Sequence, residues 1–366
     1  MNVIRQWFIR YFSDPQAILL GVLLLLGFGV VLFLGKMLTP VLASIVIAYL
    51  LEGAVRILER RLQLPRTPSV LLVFSAFMLL ILFLILVVVP LMWGQTMELV
   101  RELPVYVRMG QDMLLNLPQQ YAFISEAQIL EIMGMVSREV THAGQRLLTL
   151  SLTSIPVLIT VLVYLILVPL LVFFFLKDKQ RLLGWMTAFL PHERSLAVDV
   201  WRDVDQQLGN YVRGKFWEIL IVGATSFVVF TFMGINYPIL LAVLVGLSVV
   251  VPYVGAAVVT IPVALVAFFQ WGWGPEFAWL LVAYGVIQAL DGNVLVPLLF
   301  SEVVNLHPVA IIVAILVFGG LWGFWGIFFA IPLATLVSAI LTAWPRPAAL
   351  QADSSAQNSA LSEEGA

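Results

Sequence analysis

VLLVFSAFMLLILFLILVVVPLMW, residues 70–93, is the stretch that decides the fold of this 366-residue chain. It carries no charged side chain, and it exceeds the ~20 apolar residues that an α-helix needs to cross ~30 Å of hydrocarbon. The whole chain has the same character, since 62% of its residues are hydrophobic and only 11% are charged, against roughly 45–50% and about 25% in soluble domains. The sequence therefore predicts an all-α, polytopic membrane protein.

The composition excludes several classes of function. The 19 basic and 21 acidic residues give a net charge of −2, so there is no basic excess with which to bind nucleic acid. The chain has no cysteine, which excludes disulfides, thiolate metal sites and cysteine nucleophiles. Its three histidines are far apart and form no metal-binding motif. We therefore expect no catalytic residue, no metal site, no cofactor and no enzyme activity.

One stretch, GNYVRGKF at residues 209–216, resembles a phosphate-binding P-loop. Such a loop follows a strand and needs a Ser or Thr after its lysine to reach magnesium. Here Phe216 follows Lys215, and the stretch lies between a predicted amphipathic helix and a predicted membrane span. The sequence therefore predicts that this chain has no ATPase activity of its own.

Apolar runs and basic residues together predict how the chain is organised. We expect further spans at residues 17–34, 41–51, 155–176 and 216–233, with a turn around Thr39-Pro40. Basic residues are concentrated before the first span, between the second and third, and after the fourth, so the positive-inside rule places these parts and both termini in the cytoplasm. The predicted segments are N-terminal transmembrane helices (1–93), an extracytoplasmic amphipathic helical segment (94–154), a transmembrane helix (155–176), a cytoplasmic amphipathic helical segment (177–215), a C-terminal transmembrane transport half (216–344) and a disordered cytoplasmic tail (345–366).

The segment over residues 94–154 contains a helical pattern of its own. Apolar residues recur at helical spacing from Ile129 to Leu147, which predicts an amphipathic helix with one apolar face. That face packs against its own domain or a neighbouring subunit, or it lies flat on the membrane. We therefore expect membrane lipids and further copies of this chain, as a homo-oligomer, among its partners.

The C-terminal half differs from the N-terminal half because most of its apolar segments are too short to span a membrane alone. Segments broken by Pro and Gly indicate broken or re-entrant helices, and we expect about eight transmembrane segments overall. Two readings stay open: the breaks free backbone groups to coordinate an ion or polar solute, or prolines kink helices and glycines pack them closely. The helix-break and packing residues are Pro252, Gly255, Pro262, Pro297, Pro308, Gly319, Gly320, Gly323, Gly326 and Pro332.

Polar residues between the two breaks are the candidates for a substrate or ion pathway. These residues are Gln288, Asp291, Asn293 and Glu302. A carboxylate at the bilayer centre costs about 2.5–3.5 kcal/mol or more, so one that persists there is a functional candidate. Asp291 and Glu302 can bind a cation or carry a proton. The alternative is a turn at Asp291-Gly292 on the membrane surface, where a charge costs little.

Five short patterns occur in order along the chain, and together they resemble a known family. They are FFFLKD (173–178), YVRG (211–214), PYVGAAVVTIP (252–262), DGNVLVP (291–297) with LHP (306–308), and GGLWGFWGIFFAIP (319–332). The second pattern places Arg213 and Gly214 at the start of a span. Over about residues 16–345 the chain resembles the autoinducer-2 exporter family of bacterial permeases, also called PerM-type.

The resemblance implies about eight transmembrane segments, an extracytoplasmic segment between the third and fourth, and the bacterial inner membrane. Members of the family are linked to export of a small signalling molecule and, for some, to sodium/proton exchange. Many relatives carry Glu where this chain has Asp291. Both residues are carboxylates, so a cation or proton role is compatible with either.

We therefore expect a secondary exporter or permease for a small polar solute or signalling molecule, not driven by its own ATPase. One alternative is a sodium/proton antiporter that uses an intramembrane carboxylate, with a monovalent cation or proton as the partner. Another is a non-transporting membrane scaffold that acts through residues 94–154 or 177–215.

Overall fold

A computed structural model describes residues 15–115, 155–188, 195–252, 254–300 and 307–343, with four helical positions between 131 and 138. The regular structure of these residues is helical throughout, and six helices are long and apolar enough to cross a membrane. This confirms the predicted all-α, polytopic fold. The six are Met37–Leu62, Arg66–Met113, Ile159–Lys177, Val204–Met233, Val254–Trp271 and Pro275–Phe300, and two shorter apolar helices are Pro238–Ser248 and Val309–Trp322.

The chain begins with one long helix. Helix α1 runs over Pro15–Leu62 with Pro40 inside it. The predicted turn at Thr39-Pro40 is therefore wrong, and so is the predicted division of this stretch into separate spans at residues 17–34 and 41–51. An apolar helix tolerates an internal proline when nearby hydroxyls and helices satisfy the freed backbone groups. Here Thr39 Oγ1 donates to the Gly35 carbonyl at 3.2 Å, and Ser44 Oγ donates to the Pro40 carbonyl at 2.6 Å.

The opening stretch lies in a second long helix. Helix α2 (Arg66–Phe83) continues through a π-helical segment (Leu84–Val88) into α3 (Val89–Leu115). Pro90 has no N–H to bond the carbonyl four residues earlier, and the helix widens into a π turn there rather than breaking. The helix therefore continues into the predicted segment 94–154. Most of that segment lies outside the described residues, and so does the apolar pattern from Ile129 to Leu147.

Three helices follow, and one of them joins two predicted segments. Helix α4 (Ile155–Lys177) lies where the fourth span is predicted, and α5 (Lys179–Ala188) comes next. Helix α6 (Ser195–Met233) is a single 39-residue helix. The end of the predicted cytoplasmic segment and the fifth span are thus continuous, because residues 209–216 contain no proline to end the helix. The predicted tail, residues 345–366, lies outside the described residues.

Two tight helical hairpins follow, and each is closed by a glycine contact. In the first, α7 (Pro238–Ser248) turns into α8 (Val254–Trp271), and a Cβ on Gly255 would lie 1.7 Å from the Ser248 carbonyl oxygen. In the second, the chain turns at Gly323, and a Cβ on Gly326 would lie 1.8 Å from the Phe318 carbonyl oxygen. The second hairpin comprises α11 (Pro308–Trp322), α12 (Phe324–Phe328) and α13 (Ala330–Ala343).

A π-helical segment also lies between the hairpins. Helix α9 (Pro275–Leu290) continues through the π segment Asp291–Leu295 into α10 (Val296–Phe300). A turn at Asp291-Gly292 is therefore wrong. As at Pro90, the π turn precedes a proline, Pro297, that cannot bond the carbonyl four residues earlier.

The chain divides into two compact units, and they are described separately. The first comprises Met1–Tyr49, Asp178–Arg213 and Phe300–Ala366, and the second comprises Leu50–Lys177 and Gly214–Leu299. In the first, the Tyr211 hydroxyl donates to the Phe328 carbonyl at 2.9 Å. The second contains a large apolar core built on α6 to α9, with Leu241, Val245, Val263 and Leu280 fully buried.

Candidate functional site

A buried ion pair lies in the second unit. Lys215 and Glu218 are three residues apart on one face of α6, and Lys215 Nζ lies 2.6 Å from Glu218 Oε2. Their side chains are only 4% and 3% exposed. A charge taken out of water costs several kcal/mol unless it is paired and hydrogen-bonded. The pairing therefore allows two charged side chains to persist in an apolar core.

Lys215 has a further acceptor on a different element. Its Nζ donates to the Val249 carbonyl at 2.9 Å. Val249 directly follows α7, where the helix ends and its last carbonyls lack helical partners. The turn at the end of α7 thus supplies a backbone acceptor to a buried ammonium group.

Polar side chains of a third element face the same region. Asp291, at the start of the π segment, is coupled electrostatically to both Lys215 and Glu218. Among the described residues, Asp291 Oδ1 and Gln288 Nε2 are buried atoms without a hydrogen-bond partner. We call Lys215, Glu218, Gln288 and Asp291 the buried polar cluster. With all three charged members ionised, it holds one ammonium and two carboxylates, which is one negative charge in excess.

The fold explains how these residues meet. Lys215 and Glu218 lie at the start of the apolar part of α6, and Gln288 and Asp291 lie one turn apart at the end of α9. The Tyr284 hydroxyl, one turn before Gln288, lies 3.4 Å from both Thr260 Oγ1 and the Ala256 carbonyl of α8. Helix α9 therefore also contacts α8 one turn before Gln288, and π turns occur frequently at functional sites.

The family model described as AI-2E family transporter matches residues 20–346. The chain belongs to this family. It is 47% identical over 352 residues to PerM of Escherichia coli (strain K12), whose name describes a permease, and the match covers 94% of this chain and 98% of that protein. YueF and YrrI of Bacillus subtilis (strain 168), both named as transport proteins, are each 27% identical over 316 and 306 residues. The predicted resemblance is confirmed, and the chain is a multi-pass membrane protein of a transport family.

In this AI-2E family member, the predicted pathway residues have different environments. Gln288 and Asp291 lie in the buried polar cluster. Asn293 is exposed, and its Nδ2 donates to the Ala289 carbonyl of its own helix at 2.9 Å, so it lies apart from the cluster. Glu302 lies outside the described residues.

The predicted helix-break and packing residues also divide into groups. Pro252 lies in the turn after α7, Gly323 has a φ of +60° between α11 and α12, and Gly319 and Gly326 pack at that turn. Gly320 has no described atom within 4 Å of where its Cβ would be, so its packing role stays a prediction. Pro308 begins α11 directly after the non-helical His307. Three prolines do not break a helix, since Pro262, Pro297 and Pro332 lie inside α8, α10 and α13.

The predicted pathway residues do not include Lys215 and Glu218, the two members of the cluster on α6. Arg213 hydrogen-bonds Asn210 at 2.8 Å, and Gly214 is buried within α6, but the next residue, Lys215, is the one that forms the ion pair. The available signal was a Lys and a Glu three residues apart at the start of an apolar run. The Val249 carbonyl is a backbone group and has no signature in the sequence.

Proposed function

We propose that this AI-2E family member is a secondary transporter, a permease that carries a small polar solute or signalling molecule across the bacterial inner membrane. We place its C-terminus and residues 56–66 in the cytoplasm. The observation that carries the proposal is the buried Lys215–Glu218 ion pair, with the Asp291 carboxylate near enough to interact with it electrostatically. Ionisable residues inside a membrane are costly and mark substrate or ion pathways.

The charge balance of the cluster supports a mechanism without ATP. Its excess negative charge favours uptake of a proton or a monovalent cation, and such uptake changes which carboxylate pairs with Lys215. Lys215 of α6 would then pair either with Glu218 of its own helix or with Asp291 at the end of α9. These two pairings give the two-state element that alternating access needs. The P-loop-like residues 209–216 lie within the helix α6, a backbone conformation that cannot cradle a phosphate.

A sodium/proton antiporter is the second candidate, and the position of Asp291 favours it. The buried Oδ1 of this carboxylate has no hydrogen-bond partner among the described residues. A proton and a cation would compete for it, which is the requirement for exchange. In that case the transported solute and the coupling ion bind at the same cluster.

Reconstituted protein in liposomes tests both candidates. We expect solute or sodium flux that depends on an ion gradient, and we expect Asp291→Asn to reduce it by about tenfold or more, because this carboxylate is the group proposed to take up the coupling ion. The matched control is Glu276→Gln, which removes an exposed carboxylate from the same helix, α9, and should leave flux within about twofold.

Three outcomes separate the hypotheses. Proton-coupled sodium flux that Asp291→Asn abolishes supports the antiporter, and flux of an organic solute supports the exporter. No flux above empty liposomes for a panel of small polar solutes and monovalent cations contradicts transport. A non-transporting scaffold also predicts that function survives Asp291→Asn but not changes within residues 94–154 or 177–215.

A further inference from the structure

Helix α7 is held at both of its ends, and the two ends contact different elements. Its C-terminal end leads to Val249, whose carbonyl accepts from Lys215. At its N-terminal end, Gln95 Oε1 of α3 accepts from the Leu240 amide at 2.8 Å. The first turn of a helix has amides without helical partners, and Tyr237 at the N-cap supplies no side-chain cap. Gln95 therefore caps α7 from a neighbouring helix.

A second group of α3 holds the residue that precedes α7. Glu102 Oε2 accepts from the Tyr237 hydroxyl at 2.6 Å and from the Tyr106 hydroxyl at 2.8 Å. The Tyr106 ring stacks on Phe269 of α8, with centroids 4.8 Å apart. Burial, and then the hydrogen bond to Glu102, raise the pKa of the Tyr237 phenol, so it stays a donor at physiological pH.

The backbone before α7 is strained and is also held from α8. Tyr237 has a φ of +60°, a left-handed conformation that is unfavourable for a non-glycine residue and persists only where the surroundings fix it. Gln270 fixes the same turn, because its Nε2 donates to the Gly234 carbonyl and its Oε1 accepts from the Asn236 amide, both at 2.8 Å. We call Gln95, Glu102, Tyr106, Tyr237 and Gln270 the turn network.

Helix α7 is suited to transmit a displacement from one end to the other. It has 11 residues, or about 16 Å of length. Gly246 packs against α6 so closely that a Cβ there would lie 3.0 Å from both the Gly223 Cα and the Ile219 carbonyl oxygen. A short helix packed on backbone moves as a rigid body about this contact, so a shift at Leu240 also shifts Val249.

We propose that Gln95 and Glu102 are positioning residues for the buried ion pair. They fix the N-terminal end of α7 and thereby place the Val249 carbonyl that accepts from Lys215. This inference rests on the proposed function, since it assigns the turn network a role in controlling access to the cluster. Loss of the network lets α7 tilt, lengthens the Lys215–Val249 hydrogen bond and opens the cluster to water.

The absence of cysteine makes a direct test possible. Ser248→Cys places a single thiol at the buried end of α7, next to Val249, and its rate of modification by a small methanethiosulfonate reagent measures how often that end opens. In the full chain in liposomes, adding Glu102→Ala should raise the rate at least about tenfold, the shift that loss of charge-assisted hydrogen bonds gives an opening equilibrium. Tyr106→Phe, which keeps the ring stacked on Phe269, should give a smaller rise.

The control is Glu98→Ala, which removes an exposed carboxylate one turn earlier on α3 and should leave the rate within about twofold. If Glu102→Ala and Tyr106→Phe leave the rate unchanged, the positioning role is overturned, and an equal rise with Glu98→Ala also overturns it. If Glu102→Ala does not fold, the milder Tyr106→Phe decides. Modification is measured without any transported solute, so its result is independent of the flux of Asp291→Asn that tests the proposed function.

Discussion

At Lys215, one buried ammonium group has an ion-pair partner and a backbone acceptor, and the balance of charges determines which changes the protein tolerates. Glu218 lies 2.6 Å from it and the Val249 carbonyl 2.9 Å. Removing one member of a buried ion pair costs about 3–5 kcal/mol, because a buried charge is left without compensation. Replacing both members with apolar side chains of similar volume is often neutral or stabilising.

We therefore predict that Lys215→Met destabilises the protein by about 3–5 kcal/mol. The variant leaves the carboxylates of Glu218 and Asp291 without a cation. The double variant Lys215→Met/Glu218→Leu leaves only Asp291, which can take up a proton, and should be more stable than Lys215→Met. Thermal unfolding of the purified, detergent-solubilised proteins measures the difference. A double variant that is less stable than Lys215→Met would contradict the pairing.

The sequence makes only part of this site visible. Asp291 and Gln288 stand out because polar residues are rare in the apolar run around them. Lys215 and Glu218 do not, because charged residues at the start of a span are common at a membrane surface. Their burial depends on contacts with residues distant in the sequence, such as Val249, 34 residues from Lys215, and no local pattern predicts such contacts.

At the scale of helices, proline has two different outcomes in this chain. Pro252 lies in a turn, as the sequence predicts, whereas Pro40 and Pro297 lie inside continuous helices. The sequence predicts where a helix loses a hydrogen bond but not whether it ends there. That depends on nearby hydroxyls, on a π turn, or on a glycine that allows the next helix to fold back closely.

We expect the glycine contacts to determine whether the hairpins form. Gly326→Ala should destabilise the second hairpin by at least about 1–3 kcal/mol, the cost of overpacking, because the new methyl group meets the Phe318 carbonyl. Gly320→Ala is the matched control in the same hairpin, since it meets no described atom within 4 Å and should stabilise helix α11 by up to about 1 kcal/mol. The unfolding midpoints of the two variants measure their stabilities. Equal losses of stability would contradict the close packing at Gly326.

At the scale of the whole molecule, two helices are much longer than a membrane is thick. Helix α1 has 48 residues, and the continuous helix Arg66–Leu115 is about 75 Å long at 1.5 Å per residue, against ~30 Å of hydrocarbon. Arg66 joins three elements at one end of that helix, since its guanidinium bonds Glu52, Glu59 and the Leu176 carbonyl. The charge-free residues 70–93 suffice to span, so we expect residues beyond Glu98 to extend into water.

This arrangement predicts on which side of the membrane the end of α1 and the far part of α3 lie. A cysteine introduced as Arg108→Cys, on exposed α3, should react with a membrane-impermeant thiol reagent added to intact cells. A cysteine introduced as Arg61→Cys, at the exposed end of α1, should react only after the membrane is opened, because the positive-inside rule places the arginines of residues 56–66 in the cytoplasm. The reverse labelling pattern would contradict the cytoplasmic placement of residues 56–66.

The π segment at Asp291 also has a consequence for the length of the helix that contains it. A π turn is equivalent to one residue inserted into an α-helix, so deleting one residue there would restore regular hydrogen bonding. Because a π turn absorbs its extra residue within one wider turn, the deletion would leave the two flanking helices in nearly the same rotational register and would change only where the residues of the segment itself, Asp291 among them, face. The number of residues in this helix is therefore constrained by the direction in which its carboxylate faces, and not only by the thickness of the bilayer.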